Sequence, residues 1–127
     1  MIFGIGTDIA ALDRIATLHE RYGERFAQRI LSQDEMKEFF QHAQPARLLM
    51  KRFVAKEAFA KAVGTGLRFP VSMPQITVTH DDLGKPGFEF SLQLSDYIEL
   101  IGVTKHHLSI SDERDSAVAF VILEGAS

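Results

Sequence analysis

A helix is written into the middle of this chain more firmly than anything else. Pro45 suits a first helical turn, where its missing N–H is no loss. Gly64-Thr65-Gly66 supplies a stop, with Pro70 and Pro74 in the loop beyond. Between these marks lies the run "RFVAKEAFAKA", Arg52 to Ala62, built from good helix formers. On an ideal helix each residue turns about 100°; with Phe53 at zero, Met50 falls near 60°, Val54 near 100°, Glu57 near 40° and Lys61 near 80°. Glu57 and Lys61 therefore sit within an apolar stripe. An exposed i,i+4 ion pair is worth only about 0.2–0.5 kcal/mol. Charges among large apolar neighbours lose hydration, and they persist mainly when paired or when they bind something.

The remainder reads as shorter elements arranged around this helix. Residues 2–7 form an apolar, glycine-dotted strand leading into Thr7-Asp8. A helical pattern runs from about Ala11 into the twenties, with Leu12, Ile15, His19, Tyr22 and Phe26 on one stripe and Gly23 as a break. Ser32-Gln33-Asp34-Glu35 is a capping box opening a short helix through Phe40. "QITVTH" (75–80) and "FEFSLQL" (88–94) alternate as strands around the turn "DDLGKPG". A short helix over 95–103, capped by Ser95 or Asp96, precedes a second hairpin made of "HHLSIS" and "SAVAFVIL". The expected class is α+β, a mixed α/β domain whose largely antiparallel sheet packs on the long helix. With 127 residues, 46% of them hydrophobic, one domain over 1–127 is expected.

Composition excludes several functions. No apolar run approaches the roughly 20 residues of a spanning helix. The opening "MIFGIGTDIA" lacks the basic start and long apolar core of a signal peptide. With no cysteine there is neither a disulfide framework nor thiolate chemistry, and a net charge of −3 gives no basic field for nucleic acid. A cytoplasmic protein that touches neither membrane nor nucleic acid is expected. Anion binding must come from local clusters.

Asp8 has two readings: a cap for the helix near Ala11, or a ligand-binding carboxylate in a glycine-containing segment. Two carboxylates and a lysine, without histidine or cysteine ligand spacing, suit a hard cation. Mg²⁺ takes one or two carboxylates and completes its shell with water and substrate phosphate. A lysine beside it would neutralise phosphate charge. Spacing alone does not bring Asp8 to Glu57.

Three stretches carry a resemblance that does. "GIGTDIA", "RFVAKEAFAKAVGTG" and "HHLSIS" occur in the order seen in the bacterial holo-[acyl-carrier-protein] synthases of the phosphopantetheinyl transferase superfamily, and the similarity extends to the "LGKP" turn. The resemblance implies that fold, and transfer of the 4'-phosphopantetheine arm of coenzyme A to a serine of apo acyl carrier protein. Asp8 and Glu57 would hold Mg²⁺, and Lys61 would contact the phosphates and assist the leaving group. His107 falls on the family's "H-x-S-I" histidine, near the nucleotide end of the coenzyme. Where that motif commonly ends in histidine or aspartate, this chain has Asp112, which receives no catalytic role. Gly64 lies in a loop that family members place near the coenzyme. Arg52, Lys56, Lys85 and Pro86 complete the expected coenzyme contacts. The resemblance also implies a homotrimer with sites between subunits.

Leu18, Arg21 and Arg25 fall within about 40° of Arg14 on the first helix, a basic stripe around one apolar residue. On a negatively charged protein this suits an acidic helical partner, and the resemblance names acyl carrier protein. Two other functions compete. A non-catalytic regulatory domain binding coenzyme A or a nucleotide would need the basic residues but not both carboxylates. An interaction module would leave the charges of the central helix without purpose.

Overall fold

A computed structural model describes residues 1–126. In chain order the elements are β1 (Ile2–Ala11), α1 (Leu12–Tyr22), α2 (Glu24–Ile30), α3 (Gln33–Gln41), α4 (Pro45–Val63), a single 3₁₀ turn (Met73–Gln75), β2 (Ile76–His80), β3 (Pro86–Phe90), α5 (Leu92–Leu100), β4 (Val103–Asp112) and β5 (Ser116–Gly125). The first and last two strands form one antiparallel sheet in the order β1-β5-β4, while β2 and β3 pair separately as a hairpin. This is the α+β class expected, with every strand pair antiparallel.

Helix α4 is the centre of the fold. Leu49, Met50, Val54, Ala55, Ala58, Phe59 and Ala60 on it are wholly buried, because the helix is covered by the sheet on one side and by α1, α2 and the hairpin on others. The Phe59 ring meets Phe88 at 5.3 Å and Phe90 at 5.0 Å, which fastens the hairpin to the helix. Phe90 in turn meets the half-buried His106 of β4 edge-on at 5.1 Å. Alternation in β5 is clean: Ala117, Ala119, Val121 and Leu123 face inward, Val118 and Phe120 outward.

Three local expectations change. β1 runs on to Ala11, because its pairing with β5 continues through Asp8↔Ala119 to Ala11↔Ser116. Asp8 is therefore a mid-strand residue and not a helix cap; the α1 N-cap is Ala11, with no side-chain cap bond. The strand expected over 88–94 stops at Phe90, since Ser91 accepts from the Leu94 N–H and starts α5 there, in place of Ser95 or Asp96. Leu94 and Ile98, four apart, become the buried face of that helix, and Leu92 is exposed. The capping box at Ser32 and Glu35 forms with both of its bonds.

Candidate active site

Two glycines bring the strand and the helix together. A Cβ on Gly4 would lie 2.0 Å from the Ala62 carbonyl oxygen, and one on Gly6 2.0 Å from that of Ala58. The backbone of α4 therefore lies directly on β1, as no larger residue would permit. The glycines serve this approach rather than the approach of a ligand. Asp8 follows Gly6 on the same strand face and so reaches the next level of α4, where Glu57 and Lys61 project.

The Lys61 ammonium donates to Asp8 Oδ1 at 3.0 Å and to the Thr7 carbonyl at 3.0 Å. Glu57 is half-buried beside them. Burial raises its proton affinity, and the Asp8 charge raises it further, while Lys61 and Arg14 act in the opposite direction. Arg14 thus joins the site electrostatically from α1. The outcome is a pair of mutually repelling carboxylates facing two cations, assembled from β1, α1 and α4. Among the described residues no cluster of three or more histidine, cysteine or acidic side chains could enclose a metal. A cation here would keep room for water and substrate oxygens, so the donor set fits Mg²⁺.

The central helix differs from its wheel. The stripe of Phe53, Glu57 and Lys61 is its least covered side, and Lys61 is exposed. The sealed charges are Arg52 and Lys56, which correct two expectations. Lys56 is 0% exposed, and its ammonium donates to Glu35 Oε1 at 2.5 Å, the Ile30 carbonyl at 2.7 Å and the Met73 carbonyl at 3.0 Å. All three donors are taken, so none is left for a phosphate. Burial lowers its pKa to about 8, with Glu35 acting against that shift. Arg52, 3% exposed, faces Glu35 at 3.4 Å and donates to Glu38 at 3.2 Å. Its charge is already matched by two carboxylates.

The remaining expected residues lie at separate places. Lys85 is exposed in a turn whose backbone is held by the Asp81 carboxylate, which accepts from the Leu83 and Lys85 N–H groups. Pro86 begins β3 opposite His80. His80 lines a small cleft with His42, Arg47, Lys51, Arg52 and Glu38, a charged group that sequence reading missed because it joins three elements. Asp112 gains a role there: it accepts from Arg47 at 2.8 Å and lies 4.0 Å from Lys51. Gly64 ends α4 in the left-handed conformation, φ 95°, and borders a cleft with Thr65, Arg68 and Tyr97. His107 pairs with Glu124 at 2.6 Å on the outward face of the sheet. Asp8 is two strands away on the inward face, in register with Ala119 and Ile110. His107 cannot reach Asp8 within one chain.

Arg14, Leu18 and Arg21 lie on α1, with Arg21 stacked on the exposed Tyr22 at 5.4 Å. Tyr22 is thus a surface residue, off the buried stripe that sequence spacing gave it. Gly23 ends α1, so Arg25 belongs to α2. The break still brings Leu18 and Arg25 into one groove, with Tyr22, Phe26 and Arg29. Arg29 lies one turn beyond Arg25 and could have been found by that spacing had the helix break been placed.

Comparison with known proteins follows the same outline. The family model of the 4'-phosphopantetheinyl transferase superfamily matches residues 4–121. A holo-[acyl-carrier-protein] synthase of Nitrosospira multiformis is 57% identical over 124 residues, covering 98% of this chain and 99% of that protein. The crystal structure of the Neisseria meningitidis synthase superposes with a TM-score of 0.95 at 52% identity, covering 98% of this chain and 99% of that one. A Bacillus anthracis synthase in complex with CoA (3',5'-ADP) gives a TM-score of 0.82 at 38% identity, covering 99% of both chains.

Proposed function

The chain belongs to the 4'-phosphopantetheinyl transferase superfamily, and on that premise we propose that it moves the 4'-phosphopantetheine arm of coenzyme A onto a serine of apo acyl carrier protein. The serine oxygen bonds to the β-phosphorus and passes its proton to a base, Glu57 or a water, while the bond to the bridging pyrophosphate oxygen breaks and 3',5'-ADP leaves with that oxygen. The convergence of Asp8, Glu57 and Lys61 on the glycine bed of β1 carries this reading. Phosphoryl chemistry of this kind asks a protein mainly for positioning and charge neutralisation. Lys61 supplies a mobile cation for the phosphates, held in reserve by Asp8. Asp8 and Glu57 are the residues that would hold Mg²⁺, which when bound would offset pyrophosphate charge.

For the coenzyme we assign Gly64, Lys85, Pro86 and His107 as further contacts. His107 faces away from Asp8 and Glu57 of its own chain, so it would serve the site of a neighbouring copy. Its sheet face supports this, because Ile5, Ile9 and Phe120 on it are 58%, 69% and 45% exposed. Such a face needs cover. We therefore propose a homotrimer with sites between subunits, acting in the cytoplasm on the carrier used for fatty acid synthesis. Among the described residues no helix is long and apolar enough to cross a membrane. Arg14, Leu18, Arg21 and Arg25 would receive the acidic carrier.

Incubation with coenzyme A, Mg²⁺ and an apo carrier, followed by weighing of the carrier, tests the activity. A carrier that gains the phosphopantetheine mass only when Mg²⁺ is present supports the reading. Tight coenzyme binding without any gain would return the chain to a regulatory, non-catalytic role.

A further inference from the structure

We propose that Lys56 is a positioning residue for the carrier-docking groove: its ammonium pins the C-terminal carbonyl of α2 at Ile30 and so fixes Arg25 and Arg29 relative to Glu57. The inference rests on the reading that this groove receives the carrier.

Helix α2 needs such a pin. It has seven residues, too few to hold a helix by its own hydrogen bonds. At its N-terminal end it joins α1 through Gly23, at φ 61° and ψ −139°, where even an added Cβ would meet nothing within 4 Å. The bonds from Gly23 N–H to His19 and from Phe26 N–H to Gly23 continue the two helices, but no packing at the Cβ position braces the joint between them. Ala27 and Ile30 are buried, but apolar burial is non-directional and fixes depth better than angle.

At the other end the constraint is directional. The Ile30 carbonyl belongs to the last turn, where helices leave their acceptors unpaired, and Lys56 reaches it at 2.7 Å. The ammonium is itself immobilised by Glu35 and Met73. Glu35 is fixed in turn by the backbone N–H groups of Ser32 and Val78, each at 2.9 Å. One buried charge thus ties α2 to α3, the 3₁₀ turn, β2 and α4. Arg25 and Arg29, four apart, share one face of α2 and border the groove opposite Leu18. The residue after Lys56 is Glu57, so the pin runs from the reacting centre to the docking groove through one rigid helical turn.

The test uses the full chain with both charges of the pin removed together, Lys56→Met with Glu35→Gln, so that neither stays buried without the other, while Arg52 keeps Glu38. The expected result is a KM for carrier raised about tenfold, with the KM for coenzyme A within about twofold of the parent. Arg25→Ala should then cost less in this background than in the parent, because its target geometry is already lost. Amide exchange should quicken across 24–31 and not across β1. Should the double variant fail to fold, Lys56→Gln with Glu35→Gln is measured in its place: its shorter neutral amide has two donors and cannot bridge Ile30, Glu35 and Met73 together, so the carrier KM should still rise and the coenzyme A KM should not. Equal changes for both substrates, or an undiminished effect of Arg25→Ala, overturn the inference. An inactive parent would instead refute the transferase reading and leave the exchange result to judge the pin.

Discussion

Two lysines five residues apart on one helix have opposite fates. Lys56 is sealed, and every donor it has is spent on Glu35, Ile30 and Met73. Lys61 is half-exposed and leans on Asp8 and a backbone carbonyl, contacts that an incoming phosphate could replace. The residue type and helix are the same. What differs is the side of α4 on which each stands. On the sealed side a charge costs so much desolvation that its partners must be complete, and it becomes structure. On the open side partners are few and exchangeable, and the charge stays free for chemistry.

The largest test of this contrast removes the open-side carboxylates. Asp8→Ala and Glu57→Ala should each lower turnover by about 10³-fold, the upper range for a lost electrostatic element in a preorganised site. Neither is sealed, so circular dichroism and the melting midpoint should stay close to those of the parent. A variant that keeps Mg²⁺-dependent transfer would remove its carboxylate from the site.

The lysines themselves should then separate stability from rate. Lys56→Ala leaves Glu35 as an underpaired buried carboxylate and should cost about 3–5 kcal/mol of stability. Lys61→Ala should leave urea midpoints nearly unchanged and slow turnover by about 10²-fold. If Lys61→Ala merely unfolds while keeping its rate, the open side is structural too and the contrast collapses.

The seam beneath both sides is next. Gly6→Ala inserts a methyl group against the Ala58 carbonyl, so either β1 or α4 must shift. A stability loss of about 1–3 kcal/mol is expected from overpacking. Activity should fall by up to about 10²-fold, as Asp8 is carried away from Lys61. Unchanged kinetics would mean that Asp8 need not be placed by this contact.

Much of this arrangement was legible because it is local. Pro45 and Gly64 mark the ends of α4, Ser32 and Glu35 form their capping box, and both hairpins lie where alternation placed them. The site trio came from a motif whose spacing is itself local on α4, joined to Asp8 by resemblance. The fate of Lys56 was not legible. Its acceptors come from positions 17, 21 and 26 residues away, and no helical wheel contains them. A wheel also assumes one covered face, whereas α4 is covered nearly all round, so an apolar stripe drawn through Phe53 marks its open side. Strand β1 outran its expected end because β5 pairs with it as far as Ala11. Ser91 overrode an alternating pattern by capping α5.

The smallest expected effects lie on the outermost ring of charge, where the open side meets a partner. Arg14 acts on Glu57 through space, whereas Arg21 stacks on Tyr22 at the surface. Both stand on the basic stripe of α1, yet only Arg14 is coupled to the reacting centre. Arg21→Glu should raise the KM for carrier several-fold and leave that for coenzyme A alone, because a rim charge works mainly through encounter. Screening shortens the reach of such charges to about 8 Å at physiological ionic strength. The carrier KM of the parent should therefore rise with salt more steeply than that of Arg21→Glu. Arg14→Glu should change turnover as well, since it removes a cation that favours ionised Glu57. Because Arg14 is exposed and only Glu57 is half-buried, high salt should weaken this effect too, though less steeply than it weakens the encounter with the carrier. Leu18→Ala, between them in sequence, should weaken the carrier by a margin that salt barely alters, about 1–2 kcal/mol of lost apolar burial. Identical salt profiles for Arg14→Glu and Arg21→Glu would show that the two arginines belong to one solvated face, and that the reacting centre does not extend onto α1.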